Sequence, residues 1–199
     1  MLDSYRVYGY SMDYKKCYIV IDVICGGNKV EEGINPVLEL NAVSFPDPIQ
    51  TSLSLIEYTR LPKALNNMLG VKIKPYAKVN NFFLEKNEKD IYSYIDGLNL
   101  SIAANMVSDY LKEHLQTYEH IIFVSKSDNA EQALKFLLKN SKAPELIFNI
   151  KFDNSISVRP QLKIRGGSIN SECYRYSEAV FNYIRFTNKI EKFKSSKAC

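Results

Sequence analysis

Tryptophan is absent from the chain, and histidine occurs only at His114 and His120. Tyrosine, at 14 positions, therefore supplies most of the aromatic surface that carries a polar tip. Cysteine is sparse as well, with Cys17, Cys25, Cys173 and Cys199 alone. No two of these form a C-x-x-C pair and neither histidine lies near them in sequence, which argues against a structural zinc site. Long apolar runs are also missing. None approaches the ~18 residues that a membrane-spanning helix needs, so no membrane association is expected. The N-terminal stretch carries Asp3, Arg6 and Asp13 without an apolar segment, so no signal peptide is expected. The thiols are then expected to stay reduced in a cytoplasmic setting. Internal repeats, low-complexity tracts and linker-like composition are lacking too, which leaves one domain.

What is present fits a folded protein of ordinary size. The chain has 199 residues, 46% of them hydrophobic and 24% charged, which excludes wholesale disorder. Lysine and arginine total 26 against 22 acidic residues, for a formal net charge of +4. That balance permits a polyanionic partner without demanding one. The sharpest local bias is at the C-terminus, where Lys189, Lys192, Lys194 and Lys197 face only Glu191. Such a tail either adds phosphate attraction or is simply a solvated end.

Three runs in the first third read as strands. Residues 18–24 are rich in β-branched side chains and end at the breaker cluster Cys25-Gly26-Gly27-Asn28. Residues 37–45 alternate apolar with polar positions, stopped by Pro46 and Pro48. Residues 51–59 read as the third. Short connections make an antiparallel meander the simplest arrangement. Residues 60–90, with Leu61, Leu65, Met68 and Leu69 and then Pro75, read as a short helix followed by irregular chain.

Alternation follows. Residues 100–116 carry Ile102, Ala103, Met106, Val107, Tyr110 and Leu111 at helical spacing, with Ser101 as a cap. Residues 120–125 read as a strand. Ser127-Asp128 opens a helix with Ala130, Ala133, Leu134, Leu137 and Leu138 on one face. A strand is expected at 146–152 after Pro144, a loop at 153–168, and a final helix at 171–185. A strand run followed by alternation predicts an α/β protein with a mixed sheet and helices on its faces.

Four acids are candidates for chemistry. Asp22 lies inside an apolar strand, where a charge must be paired, bound to a metal, or led out to solvent. Asp128 stands where a helix cap is normal. Glu172 falls four residues before Tyr176, on the apolar stripe of the last helix, either facing a site or using the helix dipole. Glu178, two residues beyond Tyr176, turns away from that stripe. Glu39 sits on the face of its strand opposite Leu38 and Leu40.

The order of elements, with an acid on the first strand, resembles the ribonuclease-H-like arrangement: a three-strand antiparallel meander plus parallel strands, with helices on the faces. Within it, residues 17–186 look like the DnaQ-like (DEDD) 3′–5′ exonuclease family. YIVIDVICGG (18–27) and VLELNAVSF (37–45) resemble that family's first two strands. SIAANMVSDYLKEHLQTYEHIIFVSKSDNAEQALKFLLKN (101–140) resembles the helix–strand–helix carrying its second motif, which places Asp128 at that motif's acid. NSECYRYSEAVFNYI (170–184) resembles its third motif helix. Residues 1–16 would then be an N-terminal extension and 187–199 a basic C-terminal tail.

The resemblance implies two divalent ions, Mg²⁺ or Mn²⁺, held by carboxylates and activating a water against a phosphodiester. It assigns Asp22, Asp128 and Glu172 as catalytic, with Asp22 and Asp128 as metal ligands. The sequence also departs from the pattern. The second acid of the first motif is Ile24, which cannot bind a metal, and the third motif keeps only Glu172. The expectation is a degenerate exonuclease-fold protein acting on or binding single-stranded nucleic acid, with Lys135, Lys139, Lys192 and Lys194 as phosphate contacts. The alternative is a catalytically silent scaffold or subunit that binds a protein partner. A further stretch, YIDGLNLS (94–101), is similar to the opening of PIN-like NYN domains. Asp96 stands mid-chain, however, and Asp96-Gly97 reads as a turn.

Overall fold

The computed structural model describes residues 15–26, 35–48, 61, 66–77, 91–127, 129–156, 158 and 169–196. The elements in chain order are β1 (Lys16–Cys25), β2 (Val37–Pro46), β3 (Asn67–Lys72), a 3₁₀ turn (Ile91–Tyr94), α1 (Leu100–Thr117), β4 (His120–Ser125), α2 (Ala130–Lys139), a second 3₁₀ segment (Pro144–Asn149) and α3 (Ile169–Ser196).

The sheet order is β3-β2-β1-β4. β1 runs antiparallel to β2, β2 antiparallel to β3, and β4 parallel to β1. These are the strand order and directions of a ribonuclease-H-like mixed sheet. β1 is buried on both faces through residues 17–22 because helices cover both sides, which is why its sequence shows no alternation. Every residue of β2 is buried, including the polar Glu39, Asn41 and Ser44. Each of those three must therefore find partners within the protein.

The two sheet faces carry two cores. On one, Cys17, Ile19, Ile21, Leu40, Ala42 and Phe123 pack against α1 and α2. On the other, Tyr18, Val20, Val43, Phe45 and Val124 pack against Cys173, Tyr176, Val180, Phe181 and Ile184 of α3. Each fully buried aliphatic or aromatic side chain contributes roughly 1.5–3 kcal/mol relative to exposure. His114 ties α1 to the sheet. Its Nδ1 lies 2.7 Å from the Tyr110 carbonyl and donates to it, which leaves Nε2, 2.6 Å from Ser44 Oγ, to accept from that hydroxyl.

Several elements differ from their sequence reading. The third strand is Asn67–Lys72, and residues 51–60 lie outside the described residues. Met68 and Leu69, read as helical, belong to this strand. Its inward positions are Leu69, Val71 and Ile73, a period-two pattern too short and too interrupted by Gly70 to stand out. The expected strand at 146–152 is instead a 3₁₀ segment, because Pro144 presets a helical turn and only Leu146 of its residues is buried. Phe152 alone reaches the sheet, bridged to Phe123 in parallel. In α1 the buried stripe is Ala103, Ala104, Val107, Tyr110, Leu111 and His114, while Ile102 and Met106 are exposed. Its cap position is Asn99 rather than Ser101. α2 starts at Ala130 and buries all five apolar positions read for it. The last helix runs on to Ser196, well past Arg185. No described helix is long and apolar enough to cross a membrane.

The expected turn at Asp96-Gly97 is present, and Gly97 is held against the chain leaving β3. A Cβ there would fall 2.6 Å from Lys74 N and 2.7 Å from Ile73 C. The backbone bonds Leu98 N–H to Lys72 O and Lys74 N–H to Leu98 O, each 2.8 Å, permit no retreat without breaking the bridge. Gly97→Ala is expected to lower stability by about 1–3 kcal/mol. A fall in the urea-unfolding midpoint at unchanged slope is the check.

Candidate functional site

The site is built where the parallel pairing of β1 with β4 stops, while β1 itself runs on to Cys25. Ile21 pairs with Ser125, so the next residues, Asp22 on β1 and Lys126 after β4, lie side by side just past the last pair of the parallel ladder, at the carboxyl end of β4. That end of an open α/β sheet is where side chains from several elements converge. The first turn of α3 brings Glu172 to the same spot. Lys126 Nζ is 3.5 Å from Asp22 Oδ2 and 3.4 Å from Glu172 Oε2. One ammonium thus bridges two carboxylates that are 150 residues apart in the chain (172 − 22). α3 approaches closely because Cys173 presents a small side chain to the strands. Its thiol lies 3.7 Å from the Val20 carbonyl and 3.6 Å from that of Asn41.

The two carboxylates live in different surroundings. Asp22 is 8% exposed, whereas Glu172 lies on the solvent side. Burial raises Asp22 above the ordinary carboxylate value; the Lys126 charge opposes that shift and Glu172 adds to it. Burial pushes Lys126 down, but the attraction of Asp22 and Glu172 outweighs it and the net shift is upward. Lys126 therefore remains an ammonium at neutral pH and has no nucleophilic lone pair to offer.

A second carboxylate lies on the same sheet face. Asn41 is the cross-strand partner of Asp22 and Glu39 that of Ile24. Glu39 is 4% exposed and accepts from Asn41 Nδ2 at 3.1 Å and from the Tyr94 hydroxyl at 3.2 Å. Burial, and then the Glu39 charge, push the Tyr94 phenol up, so it stays a donor. Asn41 is 2% exposed, and its Oδ1 is buried with no hydrogen-bond partner.

Of the residues singled out in the sequence, Asp22 and Glu172 come together. Asp128 lies outside the described residues. Glu39 is buried and accepts from the Tyr94 hydroxyl. Glu178 is not idle either, since its Oε1 accepts from Leu61 N–H at 3.3 Å. Lys135 and Lys139 are on α2, the helix covering the opposite sheet face, and Lys135 pairs with Glu131 at 2.7 Å. Lys192 and Lys194 fall in the last turns of α3, and their side chains lie outside the described residues. The sequence reading missed Lys126. Its signal was the position directly after a strand that pairs in parallel with the strand of Asp22.

Among the described residues the donor set does not fit a pair of divalent ions. Where the first motif's second acid would stand is the aliphatic Ile24. Both carboxylates at the site already face an ammonium. Among the described residues no group of three or more His, Cys, Asp or Glu is placed to hold a metal. Unit charges about 4 Å apart interact by roughly 4 kcal/mol near a protein surface, so an ion beside Lys126 would meet strong repulsion.

No protein-family model matches the sequence, and no curated protein is similar to it. Solved structures do share features of the chain. One is the nuclease domain of 3'hExo, a DEDDh family member, bound to rAMP: 10% identity, 69% of this chain and 62% of that one, TM-score 0.41. Another is a 3′-exonuclease described in 3′-end specific recognition of a histone mRNA stem-loop: 9% identity, 62% of this chain and 52% of that one, TM-score 0.41. A full-length 3′-exonuclease matches at 9% identity over 65% of this chain and 40% of its own, with TM-score 0.40. The match thus spans less than two thirds of each of those chains.

Loss of the bridging cation has a defined signature. Because folding raises Asp22 above its ordinary value of 3.8, its ionisation weakens the fold: the cost is absent below that value and complete once pH has passed the raised one. Lys126→Met is expected to increase that cost. The variant should lose roughly 1–2 kcal/mol near neutral pH, less than a fully buried pair because Lys126 is partly exposed. The deficit should shrink as mild acid protonates Asp22. Urea unfolding across that range, with Lys126→Met Asp22→Asn as control, reads it out.

Proposed function

We propose that this chain is an exonuclease-fold protein whose catalytic centre is silent, and that it binds single-stranded nucleic acid without cutting it. The observation that carries the reading is the chain of ion pairs Asp22–Lys126–Glu172. Hydrolysis by two Mg²⁺ or Mn²⁺ ions needs carboxylates free to bind metal and a site free of competing cations. Here the Asp22 and Glu172 carboxylates are engaged by an ammonium, and the neighbouring acid position is Ile24. Among the described residues no further carboxylate stands beside them to complete a metal-ligand set. What the residues do instead is share one ammonium between two carboxylates, which ties the first turn of α3 to the strands.

The nucleic-acid half of the reading is supported by the resemblance of the strand and helix motifs to DnaQ-like exonucleases. The net charge of +4 also supports it. Lys135, Lys139, Lys192 and Lys194 would make phosphate contacts. Such contacts lose affinity steeply as salt rises. A cytoplasmic location belongs to the same reading.

Purified protein with labelled single-stranded DNA or RNA and Mn²⁺ tests both halves. No product is expected, together with binding that weakens as salt is raised. Cleavage that disappears in Asp22→Asn would refute the silent centre. Absence of binding even at low salt would remove the nucleic-acid half and leave a scaffold that engages a protein partner.

A further inference from the structure

We propose that the outer edge of β3 is a self-pairing surface: a second copy of this chain joins it antiparallel, about a two-fold axis at Leu69, so that the two four-stranded sheets become one. The proposal stands apart from the silent-centre reading and involves none of its residues.

The order β3-β2-β1-β4 puts β3 at the edge of the sheet. The ladder decides which of its backbone groups point outward. Ile73 N–H donates to Leu38 O at 2.8 Å, so the odd-numbered positions of β3 turn their N–H and C=O groups to β2. The alternate residues, Met68, Gly70 and Lys72, then turn theirs away. Lys72 O is closed off, because it accepts from Leu98 N–H. Among the described residues no backbone hydrogen bond meets the outward groups of Met68 and Gly70. Both residues are exposed, Met68 at 47%. Sheet edges are ordinarily blunted by a charge, a proline or a bulge. Residues 68–70 carry no charge and no proline, and the register with β2 runs unbroken from Lys72 to Asn67.

This stretch of edge is complementary to itself. With Leu69 on the axis, Met68 stands across from Gly70 of the second copy, and every outward N–H of these two residues meets an outward C=O. Leu69, Val71 and Ile73 belong to the core under α1 and α2, so Met68 and Gly70 lie on the other sheet face. There each Met68 side chain covers the bare backbone of the opposite glycine. On the α1 and α2 face the half-buried Leu69 meets its own copy in a close pair, which makes the apolar core continuous across the axis. No like charges are opposed, since Lys72 falls across from Asn66. An axis at Gly70 would instead need Lys72 O, already taken, and would set glycine on glycine. Because both copies use the same edge, the pairing closes at a dimer.

Sedimentation equilibrium on the full chain, from micromolar to millimolar protein, tests this. Wild type is expected to show a monomer–dimer equilibrium. Met68→Lys, at an exposed position, places an ammonium beside Lys72 of the second copy and should raise the dissociation constant at least about tenfold. Gly70→Pro removes an outward N–H and leaves the β2 ladder intact, so it should act in the same direction. Thermal melting shows whether each variant is folded; if Gly70→Pro is not, Met68→Lys decides. Leu69→Cys, in a Cys199→Ser background, is expected to form a disulfide-linked dimer on mild oxidation, because opposed residues of a non-hydrogen-bonded pair lie within disulfide reach. A wild type that stays monomeric throughout overturns the proposal and leaves the edge to an extended segment of another protein. A wild-type dimer that a folded Met68→Lys does not weaken overturns it too, and so does a dimer in which Leu69→Cys fails to cross-link.

Discussion

A carboxylate placed within a central strand, where the pairing with β4 stops, is the constraint around which this molecule is arranged. Asp22 is nearly buried, and an uncompensated charge there would cost several kcal/mol. Its compensation cannot come from β1, because side chains of a strand alternate faces and its neighbours on that face are Val20 and Ile24. It comes from β4, through the parallel register that sets Lys126 beside Asp22. The same cation then reaches Glu172, and so links the strand pair to the start of α3. The sheet's parallel step, the docking of α3 and the charge state of the site are one arrangement, held at one ammonium.

The sequence showed the parts of the fold that rest on local pattern. The β-branched run of β1, the helix at residues 100–117 and the spacing of Ala130, Ala133, Leu134, Leu137 and Leu138 all report packing that follows from a single segment. The strand at Asn67–Lys72 was not legible. Six residues with a central glycine and one partly buried side carry too few alternations to outweigh a helical reading of Met68 and Leu69. The segment at 144–149 misled for another reason. Leu146, Ile147 and Phe148 look like a strand, but Pro144 favours a helical turn, and Phe148 ends 91% exposed. The acids were legible as acids. Asp22 stood out because a charge in an apolar strand is costly wherever it is found. Lys126 was not legible, because a lysine after a strand looks like any solvated residue until the register of two distant strands is known.

The two faces of the sheet divide the labour. On the face under α1 and α2, β1 presents the apolar Cys17, Ile19 and Ile21, and β2 adds one polar tie, Ser44 to His114. The face under α3 is graded. It begins with Tyr18 stacked on Phe45, centroids 5.8 Å apart, and passes through Val20 beside Val43. It then turns polar at Asp22 and Asn41, and ends at Ile24 beside Glu39. Because β1 and β2 are antiparallel and in register, the gradient is written twice, once in each direction of the sequence. The apolar half anchors α3 through Val180, Phe181 and Ile184, which leaves the first turn of the helix to deal with charge.

At the polar end nearly every donor and acceptor is spoken for from within. Glu39 is held by Asn41 and Tyr94, and Ile24 packs with Leu38 and Tyr94 rather than opening toward it. Asp22 and Glu172 share Lys126. Ile24 therefore does more than omit a ligand. It places an aliphatic side chain beside Asp22 on the strand, so Glu39 forms its own closed hydrogen-bond set instead of joining the other two acids. The Asn41 amide belongs to both halves. Its nitrogen serves Glu39 and its oxygen stays unsatisfied on the strand position opposite Asp22.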